Sequence, residues 1–222
     1  MNHRAGALNL YEIRHGQTKY NEENKTVGGR SNDLPLDDLG SLQAVTLGKQ
    51  LLKAGIWPDV VRTSPARRAQ DTARLALSVM GCTLEPIIDP NLQEQSQGLW
   101  EGRSRADTIH RPKNLLKFAV HSYNAKAPYG ESMQDLFVRG KRDLDTVVDE
   151  YYDPTESVTI FNFSHGNLIR AKAGYLKRWP PLKIYLDTKL TPNTSVTPLQ
   201  YDGMNWRVEA VGMTELPDAI AA

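Results

Sequence analysis

The chain has 222 residues, of which 40% are hydrophobic and 24% charged, and a formal net charge of +1. Those values describe an ordinary globule long enough to bury a core. They exclude a nucleic-acid binder acting through a broad basic surface, and no run approaches the ~20 apolar residues of a membrane span.

The first extended apolar-rich run, residues 8–13, ends in Arg14-His15-Gly16. A helix follows from Asp37 or Asp38, either of which can serve as N-cap, to about Ala54, with Gly55 as its stop. Residues 59–62 read as a second strand. Pro65 suits the first turn of a second helix, which reaches about Met80 and stops at Gly81. A weaker strand over 84–88 leads into a loop over 91–103 that contains Gly98 and Gly102. Part of 105–121 is helical.

The clearest helix spans 131–151, with Met133, Leu136, Phe137, Gly140, Leu144, Val147, Val148 and Tyr151 on one stripe. Ser132 and Asp135 form a capping-box pattern at its start. A strand over 158–163 then leads into Ser164-His165-Gly166 and a helix to about Lys177, and late strands cover 196–201 and 206–211. This alternation predicts a three-layer α/β/α fold around a mainly parallel sheet. With no repeat or composition break, residues 1–222 read as one domain, with a helical lid inserted at about 103–130.

Two histidines at strand ends stand where open α/β sheets bind ligands. A neutral imidazole can accept a phosphoryl group and later yield it to water, provided a backbone carbonyl fixes its tautomer. His15 is the candidate, and Arg14 beside it can grip two phosphate oxygens. A protonated His165 would add another positive donor. In Thr63-Ser64-Pro65-Ala66-Arg67-Arg68, at a third strand-to-helix junction, either Arg67 or Arg68 could point into the same pocket.

These residues resemble the histidine phosphatase superfamily in its phosphoglycerate-mutase-like branch. Arg14-His15-Gly16-Gln17-Thr18 with Asn21 is similar to the opening signature of that family, and Gly28-Gly29 and Asp33-Leu34-Pro35-Leu36 to the segment that follows. Ser64-Pro65 with Arg68-Ala69 resembles the second arginine motif, which selects Arg68 over Arg67. Leu92-Gln93-Glu94 before Gly98-Leu99-Trp100-Glu101-Gly102 resembles the loop carrying the acid, and Pro128-Tyr129-Gly130-Glu131-Ser132 and Ser164-His165-Gly166 complete the order. Gln17 stands where glutamate is frequent and Asp71 where glutamine is usual, and Ser96-Gln97 is more polar than the family pattern.

The resemblance implies that His15 becomes phosphorylated. Arg14, Arg68 and His165 hold the phosphoryl group, with Asn21, Gly28 and Gly166 around it, and Glu94, protonated when substrate is bound, supplies the leaving oxygen with its proton. The 98–102 loop is more similar to phosphatases than to mutases, which implies a phosphomonoesterase acting on small phosphorylated metabolites. A cofactor-dependent phosphoglycerate mutase is the alternative. A phospho-ligand-binding module without turnover is the alternative of another class, although it has no need of nucleophile and acid together.

Arg105, with Arg103, Arg111 and Lys113, lies in the expected lid, and Arg30 is expected at the same mouth, where a second acidic group on the substrate would suit them. No metal or other cofactor is required, and the five histidines show no ligand spacing. Neither nucleic acid nor membrane is expected as a partner, and a homo-oligomer is left open. The polar first six residues, the short run behind them and the single cysteine, Cys82, imply a cytoplasmic protein.

Overall fold

In the computed structural model, which describes residues 6–120, 123–180, 183–184, 187, 189 and 191–217, strand β1 (Leu8–Arg14) lies inside a six-stranded sheet. Strands β2 (Val60–Thr63), β3 (Ile87–Ile88), β4 (Val158–Ser164), β5 (Val196–Tyr201) and β6 (Trp206–Val208) give the order β3-β2-β4-β1-β5-β6. The first three of these pairings are parallel, and β5 and β6 add an antiparallel edge.

Helices α2 (Asp38–Lys53) and α3 (Arg67–Met80) cover one face, where Leu47, Leu51, Ala73 and Leu77 pack on Ile13 and Phe161. Helices α5 (Met133–Tyr151) and α6 (Gly166–Leu176) cover the other, where Leu144 and Val147 pack on Leu8, Leu10 and Ile160. The three-layer expectation holds. Short helix α1 (Lys19–Glu23) and helix α4 (Pro112–Val120) lie in the connections. No helix among the described residues is long and apolar enough to cross a membrane.

Local signals place most boundaries. Asp37 caps α2 by accepting from the Gly40 amide at 2.7 Å, and Gly81, at φ +70°, ends α3. Ser132 and Asp135 form the reciprocal cap of α5, at 2.9 and 3.1 Å. Three expectations are corrected. Helix α3 begins at Arg67 rather than at Pro65, because the extended Ala66 is its cap. In the 84–88 segment only Ile87 and Ile88 pair, both on an exposed edge. The last strand stops at Val208. The first five residues and His121, at the end of the expected lid helix, lie outside the described residues.

A charged layer lies beneath the sheet on the α5/α6 side. Lys172 of α6 bonds Glu12 of β1 and Asp143 of α5, and Asp143 also bonds Arg62 of β2. Arg62 continues to Asp89 after β3. Burial pushes the Asp143 carboxyl up, but Lys172 and Arg62 outweigh it and hold the group below the usual carboxylate range. Removing one partner of such a set strands an uncompensated charge. Lys172→Met is therefore expected to lower the free energy of urea unfolding by about 3–5 kcal/mol. The exposed pair Lys141–Asp145 supplies the control, since Lys141→Met should leave the midpoint unchanged.

Candidate active site

Strands β1, β4 and β2 end level with one another. Arg14 pairs with Ser164, and Thr63 with Phe163. The three loops that follow therefore emerge side by side, carrying His15, His165 and the start of α3. The β1 loop also rests on α2. A Cβ on Gly40 would lie 2.0 Å from the Gln17 carbonyl oxygen, and one on Gly16 would lie 2.4 Å from that of Gly40, so this approach requires glycine on both sides. Thr72 of α3 accepts from the Gly16 amide at 3.0 Å.

His15 is 4% exposed. Its Nδ1 lies 2.7 Å from the Gly16 carbonyl oxygen, which can only accept, so Nδ1 carries the proton and Nε2 the lone pair. Arg68 Nε donates to that Nε2 at 3.3 Å. Burial first, then Arg68 and Arg14, push the His15 ring well below the ordinary imidazole value and keep it neutral.

His165 is fully buried behind the first ring, with the two ring centroids 5.1 Å apart. Its Nδ1 accepts from Arg68 Nη2 at 3.2 Å, and its Nε2 donates to Ser64 Oγ at 2.8 Å. A protonated His165 facing the ligand was expected. The arrangement corrects this. Burial and the adjacent Arg68 push the ring well below the ordinary imidazole value, and the residues that line the cavity include Arg68 but not His165.

Arg68 replaces the alternative Arg67, which faces solvent beside Asp71. Its terminal nitrogens also donate to the carbonyls of Gly29, Arg30 and Ser31, at 2.9–3.1 Å. Arg14 donates to the Thr191 carbonyl at 2.6 Å, while its Nε is buried with no hydrogen-bond partner among the described residues. Desolvation lowers both guanidinium groups to about 10, so both remain cationic at neutral pH. Gly166 opens α6, and a Cβ there would lie 3.4 Å from Arg14 Nε.

These groups surround a cavity of about 410 Å³, lined by Arg14, His15 and Arg68 together with the expected Asn21, Gly28, Glu94, Arg105 and Gly166. Glu94 is half-buried. Its carboxylate accepts from the Gln95 amide at 2.7 Å and from the Asn167 amide, at the start of α6, at 3.3 Å. Asn21 Oδ1 accepts from the Thr18 amide and hydroxyl at 3.2 and 3.0 Å.

Other expected residues are elsewhere. Arg30 bonds Glu131 at 3.2 Å, while Arg103, Arg111 and Lys113 line a separate groove beside Trp100. Arg170 was missed, although it is 5% exposed, bonds Asn167 and lines the cavity. It lies four residues after Gly166, and that one-turn spacing from a helix start at the site is the signal that could have found it.

The family model for the histidine phosphatase superfamily (branch 1) matches residues 10–214. A 2,3-bisphosphoglycerate-dependent phosphoglycerate mutase of Bartonella bacilliformis is 32% identical over 169 residues, 73% of this chain and 78% of the relative. The solved structure of a mycobacterial glucosyl-3-phosphoglycerate phosphatase, described in complex with VO3, superposes with a TM-score of 0.75 at 27% identity, covering 91% of this chain and 97% of that one. The α-ribazole phosphatase of Shigella flexneri, at 23% identity and a TM-score of 0.76 over 94% and 98% of the two chains, shares the fold. With strand ends, buried histidines and motif order all in agreement, the chain belongs to the histidine phosphatase superfamily, branch 1.

Proposed function

We propose that the protein hydrolyses phosphate monoesters of small metabolites through a phosphohistidine on Nε2 of His15. The observation that carries this reading is the bond from His15 Nδ1 to the Gly16 carbonyl, which leaves a basic Nε2 inside a cavity walled by arginines. In the first step Nε2 attacks phosphorus and the P–O ester bond breaks. The bonding pair stays on the leaving oxygen, which takes a proton from Glu94. In the second, water attacks phosphorus, the P–N bond breaks with its electron pair returning to Nε2, and the Glu94 carboxylate takes the proton from water. Arg14 and Arg68 neutralise the charge on the transferring group in both directions. His165, bonded to Arg68, orients that guanidinium.

The cavity volume suits a small molecule. Arg105 and Arg170 along its side suit a substrate with a second anionic group, and the 103–130 segment carries the former. The mutase reading is favoured by the 32% identity to the Bartonella relative. The test is a screen of phosphorylated metabolites and phosphopeptides read by released phosphate, with 3-phosphoglycerate isomerisation followed alongside. Phosphate release should outrun isomerisation, and metabolites should outrun peptides. The reverse result in either comparison replaces that part of the reading.

Substitution of the nucleophile, His15→Ala, is expected to lower turnover by about 10⁴-fold or more. Label from a ³²P substrate should appear on His15 in the active enzyme. Recovery of the label on another side chain would end the scheme.

Both buried rings have values below 6.5, so they should stay neutral as pH falls through 6.5 and gain protons only further down. Histidine ring resonances followed by NMR should show this. A titration of either ring at or above 6.5 would contradict the assigned electrostatics.

A further inference from the structure

The 91–96 segment that presents Glu94 has no ladder partner in the sheet, apart from a 3-10 turn over Pro90–Leu92 at its start. One side chain takes over that work. Arg139, on α5, donates through Nη1 to the carbonyls of Asn91 and Gln93, both at 2.7 Å, and through Nη2 to the carbonyl of Glu94 at 3.2 Å. Its remaining donors go to Glu131, Nε to Oε1 at 3.0 Å and Nη2 to Oε2 at 2.9 Å. Glu131 in turn grips the far end of the segment. Its Oε2 accepts from the Ser96 amide at 2.9 Å, its backbone amide donates to the Ser96 carbonyl at 2.8 Å, and its carbonyl accepts from the Gln95 side chain at 3.0 Å.

The planar fork of a guanidinium can serve several acceptors at fixed angles in a way that lysine cannot. The pair is mostly buried, with Arg139 13% and Glu131 18% exposed. Burial pushes the Glu131 carboxyl up, but Arg139 outweighs it and the group sits below its ordinary value, so the pair stays ionised. Neither residue is among those that line the cavity around His15.

We propose that Arg139, locked by Glu131, is the positioning residue that holds the Glu94 carboxyl over the leaving oxygen. This rests on the reading of Glu94 as the acid. A misplaced acid costs most where the leaving group most needs a proton, so the test compares two esters. Glycerol 2-phosphate leaves as an alkoxide and needs a full proton. p-Nitrophenyl phosphate leaves as a stable phenolate and needs little. kcat/KM is the quantity to read, because it spans the steps up to formation of the phosphoenzyme.

Glu94→Gln sets the scale, with a loss of about 10²–10⁴-fold on the alkyl ester and far less on the aryl one. Arg139→Gln is expected to lose at least about tenfold on the alkyl ester and under about threefold on the aryl ester. In the double variant, removing Arg139 from Glu94→Gln should add no further selective loss, since the acid through which it acts is already gone.

Equal losses on the two esters, or a fully additive double variant, would make Arg139 a structural residue only and overturn the proposal. If Glu94→Gln shows no leaving-group dependence, the acid assignment falls and the proposal with it. If Glu94→Gln shows that dependence and Arg139→Gln does not, only the proposal falls. Should Arg139→Gln fail to fold, Glu131→Gln breaks the same clamp from its other side and is read against the same two esters by the same criteria.

Discussion

Two neutral imidazoles share one buried guanidinium, and the architecture of the site follows from that sharing. Arg68 donates to His15 with Nε and to His165 with Nη2, while loop carbonyls take its other hydrogens. A cation in that position is costly to bury, and it is tolerated because its hydrogen-bond donors find acceptors. Burial first, and then its charge with that of Arg14, keep both rings unprotonated, so the lone pair on His15 survives at acidities where a free histidine would have lost it. A phosphoryl dianion entering the cavity meets arginines already dehydrated, which makes each contact worth more than in water. On the proposed reading the same field that would attract the substrate also helps keep His15 unprotonated.

That sharing requires three strand ends at one level, and the buried charge layer helps to hold them there. Glu12 accepts from Asn162 and from Ser164, the residue before His165, and Lys172 bonds the same carboxylate. On β1, Leu8, Leu10 and Glu12 share one face, with Tyr11 and Ile13 on the other. A register slip of one residue would carry Glu12 into the cluster of Phe161 and Phe163, where no cation waits, and strand Lys172 beneath the sheet. The ionic layer thus rejects the wrong pairing more sharply than leucines could. The cost of any slip falls on the same strands that deliver His15 and His165.

How much of this could be read beforehand depended on the reach of each signal. Local signals were legible: the apolar stripe and Ser132–Asp135 cap of α5, the glycine after α3, and the two histidines at strand ends. The candidate nucleophile His15 and its neighbour Arg14 came from their strand-end position, and Arg68 and the candidate acid Glu94 from motif order; the cavity gathers all four. Long-range pairing was not legible. Asp143 sits on the buried face of α5 because Lys172 and Arg62 come from other elements to meet it. Arg139 is one more arginine on a charged helix until the 91–96 carbonyls turn toward it. The charge expected of His165 differs for a related reason, since the burial that holds its ring neutral and the guanidinium from α3 that adds to it are both set by elements far along the chain.

The division between hydrolysis and transfer then comes down to one competition. On the proposed reading both outcomes would share the first step, in which Nε2 of His15 takes the phosphoryl group and Glu94 protonates the leaving oxygen. They part over which oxygen reaches phosphorus next, that of water or that of a bound acceptor. The arginines cannot decide this, because they stabilise the transferring group equally in either direction. What decides it is how long the first product stays in the cavity and whether water enters after it leaves. On that reading the lifetime would be set by the other cations that line the cavity, Arg105 and Arg170. A second anion held there slows departure and favours return of the phosphoryl group, whereas a weakly held product leaves the phosphohistidine open to water. If the proposed roles hold, the catalytic set would serve either reaction, and the cavity wall would determine which one it performs.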